Sequence, residues 1–331
     1  MSASDWNDVG AIVTGATGFI GGWLAEELDS LGARVFVVDI NVDPTALGVH
    51  PKLWDSAVLV HGDVRDTELM KKLISQNAVS VVFHLAAQAA VGSALVDPTR
   101  TFESNIEGTW SVLEACRVTK GVERIVVASS DKAYGEHEVL PYKEDAPLLG
   151  RYPYDASKAA AEIITSSYHA TYDLPVAVTR NANIYGGGDL STHRLVPEVI
   201  QAIIARRRPV IRSDGTPERD YLFIKDAVSA YIALAEHMDD ERIAGEAFNF
   251  GTGVGVSVID LVNLILEIAG SDLEPDIRSS APHELARQYL SPAKAIATFG
   301  WKVEHTLEQG LLQTIDWYKS RPDLSRLWSS T

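Results

Sequence analysis

The chain has 331 residues, of which 46% are apolar and 22% charged, with a formal net charge of −16 and a pI near 4.9. That length buries a substantial core in one large or two closely joined α/β units. The acidic balance repels phosphate backbones and anionic membrane surfaces, which argues against nucleic acid as a partner. Cys116 is the only cysteine, so no intrachain disulfide forms and a reducing compartment is expected. Residues 1–10 lack the basic and apolar regions of a secretory signal, and no apolar run reaches the roughly 20 residues of a membrane helix. A soluble, cytoplasmic protein is expected.

Ala11-Ile12-Val13-Thr14 reads as a strand that runs directly into Gly15-Ala16-Thr17-Gly18-Phe19-Ile20-Gly21, with a helix from Gly22 to Leu28. Strand, glycine turn and helix form the context of a dinucleotide fingerprint. The glycines let the backbone approach a pyrophosphate, and the helix N-terminus offers it unpaired N–H groups. The spacing GxxGxxG departs from GxGxxG, so a purely structural turn stays open at this point. Arg34 to Asp39 is a second strand ending in a carboxylate about twenty residues on. Such an acid binds adenosine ribose hydroxyls and repels a 2′-phosphate, favouring NAD over NADP.

Val58-Leu59-Val60 and Val79 to Leu85 supply two more strands, with helical segments near 66–76 and 101–119. Asp63 is placed to meet an adenine, and the small Ala86 and Ala87 let a cofactor pass close to the chain. His84 reads as a packed strand-end residue. Strands alternating with helices, each strand a continuous apolar run, predict a parallel sheet covered on both faces.

Arg124 to Ala128 is an apolar strand that opens into Ser129-Ser130-Asp131-Lys132. A hydroxyl, a carboxyl and an amine in a row at the mouth of a buried strand are candidates for chemistry. Tyr154-Asp155-Ala156-Ser157-Lys158 opens an Ala-rich helix, and residues at i and i+4 share a face. The Lys158 ammonium can thus stand near the Tyr154 phenol and favour its ionised form. Leu174 to Arg180 is a further strand. It feeds Asn181 to Asp189, whose three consecutive glycines suit either a loop that closes over a ligand or a surface turn.

Beyond residue 181 the pattern loosens. Helices are expected near 194–206, 224–237, 257–269, 292–298 and 306–319, and short strands near 209–212, 247–250 and 275–278. No Pro- or Ser-rich linker intervenes, so two lobes sharing a cleft are expected, 1–180 and 181–331, with some interleaving of the chain. Arg206-Arg207-Arg208 reads as a solvated helix end. The nine histidines and the lone cysteine show no metal-ligand spacing, and no metal is expected.

Taken together, TGATGFIGG, HLAAQA, SSDKAYG, YDASK, RNANIYGGGD and RDYLFIKDA resemble the extended short-chain dehydrogenase/reductase superfamily, in particular its NAD-dependent nucleotide-sugar epimerases and dehydratases. The resemblance spans nearly the whole chain. It implies a Rossmann-type doubly wound parallel sheet with a smaller C-terminal α/β substrate lobe, a retained NAD, and a homodimer packed through helices near 101–119 and 155–172. It implies an NAD site at Gly15, Thr17, Gly18, Phe19, Ile20, Gly21, Asp39, Asp63, Val64, Leu85, Ala86, Ala87, Tyr154 and Lys158. It also implies a nucleotide-sugar site at Gln88, Ser130, Asn183, Arg194, Arg219 and Arg287. Arg219 suits the pyrophosphate, since a guanidinium fork matches phosphate oxygens. Asn105 reads as a structural hydrogen-bonding residue.

Within the superfamily, Asp131-Lys132 after Ser130 is similar to CDP-glucose 4,6-dehydratases, and Pro282-His283-Glu284 points the same way. The implied roles are Tyr154, Lys158 and Ser130 in oxidation at C4, Lys132 as the base at C5 and Asp131 as the acid at the 6-hydroxyl. Arg219-Asp220-Tyr221-Leu222 follows the general superfamily pattern in place of the tryptophan-containing segment of that subfamily, which leaves the nucleotide base open. Competing readings are a 4-epimerase or decarboxylase of the same superfamily and, more remotely, an NAD-sensing protein without catalysis.

Overall fold

Seven short apolar segments build the scaffold of the computed structural model, which describes residues 6–42, 44–191, 193–280 and 285–321. They are β1 (Gly10–Thr14), β2 (Arg34–Asp39), β3 (Val58–His61), β4 (Val79–His84), β5 (Arg124–Ser130), β6 (Val176–Asn181) and β7 (Ala247–Phe250). All neighbours pair in parallel, in the order β7-β6-β5-β4-β1-β2-β3. Side chains alternate between the faces: Ala11 and Val13 enter one apolar cluster and Ile12 the other, while Val126 faces opposite to Ile125 and Val127. Both faces are covered, which is why these strands read as unbroken apolar runs. The chain order reverses between β1 and β4, and in open α/β sheets the crevice at that switch point is where a dinucleotide binds.

The helix α1 (Phe19–Ser30) follows the glycine turn and packs on one face of the sheet. Gly21 is required there, because a Cβ would stand 2.5 Å from the Gly15 carbonyl oxygen and 2.7 Å from Ala16 Cα. α2 (Thr67–Gln76) and α3 (Gly108–Val118) cover the other face, and α4 (Pro153–Tyr172) follows the loop after β5. The helix expected over 101–119 is not continuous. Pro98–Phe102 is helical, Glu103–Glu107 widens into a π turn, and α3 then resumes. Tertiary contacts account for the interruption: Asn105, 2% exposed, accepts from the Gln88 amide at 2.7 Å and donates to the Gln88 carbonyl at 3.1 Å and to Ser157 Oγ at 2.9 Å. Such widened turns satisfy contacts that a regular helix would miss.

The C-terminal part contributes helices at Leu195–Ile204, Ile224–Glu236, Val258–Ala269, Ala293–Phe299 and Leu307–Ser320. The strand expected near 247–250 forms, and it extends the large sheet as β7 beside β6. Three small sheets complete the lobe, one of them setting Glu218–Arg219 between Val256–Ser257 and Arg287–Gln288. Pro282, His283 and Glu284 lie outside the described residues. Among the described residues no helix is long and apolar enough to cross a membrane.

The three glycines at 186–188 form neither a lid nor an open turn. A Cβ at Gly186 would meet Ile224, one at Gly187 would stand 2.2 Å from Trp317 Cγ, and Gly188, at φ +88°, abuts Val49. The Gly187 carbonyl accepts from Trp23 Nε1 at 2.7 Å, and Asp189 is buried. The segment is a packed joint between α1 and the Leu307–Ser320 helix, and glycine is there because only hydrogen fits. Gly187→Ala is expected to destabilise the fold by about 1–3 kcal/mol through overpacking, measured as a lower denaturant midpoint. An unchanged midpoint would mean that Trp317 moves aside freely.

Candidate active site

The cofactor cradle is built where β1 and β4 end. Gly15 adopts φ +74°, and a Cβ there would lie 2.8 Å from both the nitrogen and the Cα of Ala86, so only glycine permits the two turns to touch. The N-terminus of α1 has Gly18 as its cap and, among the described residues, no side-chain cap, leaving N–H groups for an anion. At the end of β2, Asp39 Oδ2 accepts from the Thr17 amide at 3.2 Å and from Thr17 Oγ1 at 2.7 Å, which holds the carboxylate over the glycine turn.

His84 braces this region from below. Its Nδ1 meets Thr14 Oγ1 at 2.9 Å and its Nε2 meets Thr109 Oγ1 at 3.1 Å. Thr109 spends its own proton on the Asn105 carbonyl at 2.7 Å, so it accepts from Nε2–H and leaves Nδ1 to accept from Thr14. The Thr14 oxygen is then free to accept from the Leu85 and Ala86 amides, each at 3.1 Å. Burial, helped by the charge of Lys158, pushes the His84 imidazole down to about 3, so the ring is neutral. It is a strut, and it fixes the turn that faces Gly15. Phe19 and Ile20 are half-buried at the start of α1, Val64 is buried against Gly108, and Ala87 is half-buried beyond the brace. Asp63 is occupied by Arg65, whose hydrogen bonds of 2.7 and 2.9 Å lower its carboxyl.

The candidate catalytic groups gather at the end of β5. Ser130 Oγ donates to Asp131 Oδ1 at 3.0 Å and accepts from the Lys132 amide at 3.3 Å, turning the chain so that Asp131 and Lys132 face one another. Lys132 Nζ lies 3.3 and 3.4 Å from the two Asp131 oxygens. Asp131 is 1% exposed. Burial pushes the Tyr154 phenol up to about 12, opposed first by the charge of Arg194 and then by a hydrogen bond with Ser130. Serine, tyrosine and the acid–amine pair are thus connected.

A profile of the NAD dependent epimerase/dehydratase family matches residues 11–251. The chain belongs to that family. Among curated relatives of this family member, a trifunctional UDP-glucose 4,6-dehydratase/3,5-epimerase/reductase of Arabidopsis thaliana is 29% identical over 98% of the chain. The chain spans about half of that plant protein's length, 49%. A UDP-glucose 4-epimerase of Mycolicibacterium smegmatis is 31% identical, covering 94% of this chain and 98% of its own. A CDP-glucose 4,6-dehydratase of Salmonella typhimurium is 29% identical, covering 95% and 92%. Two solved structures align closely. The Thermotoga maritima UDP-glucose 4-epimerase with UDP-glucose has a TM-score of 0.87 at 29% identity, covering 95% of this chain and all of its own. The Streptomyces venezuelae dTDP-glucose 4,6-dehydratase with NAD bound has a TM-score of 0.85 at 26% identity, covering 95% and 98%. NAD is the cofactor of the family, and the cradle fits it: both glycine approaches are sterically required, and the carboxylate at the end of β2 is held against the glycine turn by Thr17.

Several groups around the candidate site escape its linear motifs. Gln288 is fully buried. Its Oε1 accepts from Lys132 Nζ at 2.5 Å and its Nε2 donates to the Asp131 carbonyl at 3.0 Å. Asp155, also buried, faces the same pair: burial pushes its carboxyl up to about 6, opposed by the charge of Lys132 and aided to a lesser degree by Asp131. Lys158 Nζ donates to the Ala128 carbonyl at 2.9 Å, and burial lowers its ammonium to about 8, opposed by Glu162. Glu162, one turn further along α4, is buried with Arg180 at 2.8 Å and accepts from Ser129. The spacing of Tyr154 and Lys158 alone signalled the shared helix face; the Ala128 carbonyl as acceptor became visible only in three dimensions.

The residues expected to meet substrate fall into two groups. Arg219 and Arg287 stand on adjacent strands of one small sheet, where Arg287 pairs with Glu218 and Gln288 with Arg219, so this sheet carries both arginines and the side chain that touches Lys132. Asn183 is anchored nearby, donating its amide and Nδ2 to the Asp220 carbonyl at 3.0 and 3.2 Å. The buried Asp220 carboxylate ties this corner together, accepting from Thr252, Gly253 and Leu290. Arg194 belongs with Tyr154, whose phenol its charge influences, and pairs with Asp189 at 3.3 Å. Gln88 is held by Asn105 through its backbone, and its buried Oε1 has no partner among the described residues.

Proposed function

We propose that the chain is a nucleotide-sugar 4,6-dehydratase, similar to CDP-glucose 4,6-dehydratases, that converts an NDP-hexose to an NDP-4-keto-6-deoxyhexose. The observation that carries this reading is the Asp131–Lys132 pair, an acid and an amine 3.3 Å apart beside Ser130 and Tyr154. Bound nicotinamide supplies a hydride acceptor for C4 and a hydride donor for C6. Tyr154 takes the proton of the 4-hydroxyl while Ser130 hydrogen-bonds the same oxygen. The 4-keto group acidifies the C5 hydrogen.

The ion pair must first become an acid and a base, which needs one proton to cross from Nζ to Oδ1 with no change in net charge. Lys132 Nζ then forms a bond to the C5 proton, the C5–H electrons become the C5–C6 double bond, and the C6–oxygen bond breaks. The leaving oxygen takes the Asp131 proton and departs as water. Elimination thus returns the ammonium and carboxylate from which the pair started, and the attraction between them favours that product state.

Residues 1–180 are assigned to NAD and catalysis and 181–331 to the nucleotide-sugar, with β7 contributed back to the large sheet. Trp110 on α3 and Ile163 and Tyr172 on α4 are exposed apolar side chains, which supports a homodimer packed through these helices. Lys158 serves the oxidation as an ammonium. Its value near 8 means that raising the pH removes the proton, so kcat/KM is expected to fall on the alkaline side with a midpoint near pH 8. A profile flat through pH 9 would exclude that role.

The same oxidation without loss of water would be a 4-epimerase, and the 31% identical Mycolicibacterium relative keeps that reading in view. Incubating the holoenzyme with CDP-, dTDP-, UDP- and GDP-glucose and weighing the products decides between them. Loss of one water mass supports the dehydratase, and a product of unchanged mass with inverted C4 overturns it.

A further inference from the structure

The short contact between Gln288 and Lys132 joins side chains 156 residues apart. The Gln288 side chain has a defined orientation. Its Nε2 must face the Asp131 carbonyl, which only accepts, and its Oε1 must face the lysine amine, which donates; the reverse orientation would oppose donor to donor and acceptor to acceptor. The strand that carries it is fixed on two sides. One neighbour is Glu218–Arg219. The other is the segment after the catalytic turn, where Tyr142 N donates to the Tyr289 carbonyl at 2.9 Å and Ser291 N to the Tyr142 carbonyl at 2.8 Å.

We propose that Gln288 is a positioning residue for elimination: it holds one N–H of Lys132 so that the amine presents its reactive direction to the sugar C5. The inference rests on the reading of Lys132 as the base. A tetrahedral amine has four directions. Cε occupies one and Gln288 Oε1 fixes a second, so the remaining two divide between Asp131 and the substrate. A free lysine amine spins about its last bond, and that freedom is removed here by a neutral acceptor. Neutrality matters because Asp131 and Asp155 already face Lys132 with negative potential, and a third carboxylate would hold the amine in its protonated, unreactive form. Arg219, on the adjacent strand, links the position of Gln288 to the lobe assigned to the nucleotide.

The test uses holoenzyme carrying Gln288→Met, Gln288→Glu or Lys132→Ala, with whichever of CDP-, dTDP-, UDP- and GDP-glucose the wild type turns over. Three quantities are read: reduction of bound NAD⁺ by substrate, entry of solvent deuterium at C5, and the pH profile of kcat. Gln288→Met is expected to slow C5 exchange and turnover about a hundredfold while C4 oxidation and KM stay within about twofold of wild type. Gln288→Glu is expected to move the acid limb of kcat upward by about one pH unit or more, with rate recovered at higher pH. Wild-type C5 exchange in Gln288→Met, with none in Lys132→Ala, overturns the inference and leaves Lys132 as the base. Wild-type exchange in Lys132→Ala overturns that reading, and the inference with it, as does a wild type that dehydrates none of the four sugars. Equal loss of C4 oxidation, exchange and bound NAD in both Gln288 variants shows a merely structural role and also overturns it.

Discussion

Lys132→Ala is expected to lower turnover on the order of 10²–10⁴-fold, the usual loss for a general base, while the first half of the reaction survives. Removing the amine leaves the Tyr154 phenol, Ser130 and the glycine turn in place, so substrate still reduces a fraction of the bound NAD⁺ and the sugar stops at its 4-keto form. Asp131 is left buried without its amine partner and retains its hydrogen bond from Ser130. The decisive measurement is rapid mixing of holoenzyme with substrate, following reduced nicotinamide absorbance beside product mass. Unchanged dehydration would remove Lys132 from the mechanism.

Tyr154→Phe is expected to act one step earlier and to abolish both signals. A phenol raised to about 12 by burial is a poor base at neutral pH until something favours its ionised form, and the Arg194 charge and Ser130 pull in that direction. The phenylalanine keeps the ring volume but has no oxygen to accept the 4-hydroxyl proton. A loss on the order of 10³-fold, about 4 kcal/mol of barrier, is expected in the burst of nicotinamide reduction per bound NAD⁺, with the fold unchanged. A variant that still reduces its NAD⁺ at the wild-type rate would give the proton transfer to another group. The two substitutions together divide the reaction into oxidation and elimination.

Much of the architecture was legible locally. Apolar runs of four to seven residues that end in Thr14, Asp39, His84 and Ser130 became β1, β2, β4 and β5, because a sheet buried on both faces demands such runs. The wide turn at 103–107 was hidden, since it depends on Asn105 finding Gln88 and Ser157, and no helical periodicity records that. The glycines at 186–188 read as freedom and proved to be close packing, because composition cannot distinguish a glycine that must bend from one that must be small.

The order of residues by itself determined the glycine turn, the acid at Asp39, the parallel strands and the adjacency of Ser130, Asp131 and Lys132, because each is specified within a few residues by sterics, pairing or burial. Only the tertiary structure decided that Lys158 turns to the Ala128 carbonyl, that Asp155 faces the acid–amine pair, and that Gln288 closes on it from the far end of the chain. The physical reason is one of range. Backbone preferences and side-chain periodicity act over a turn or two, whereas the direction in which a buried amine can donate is set by whatever carbonyl or amide the completed fold brings within about 3 Å.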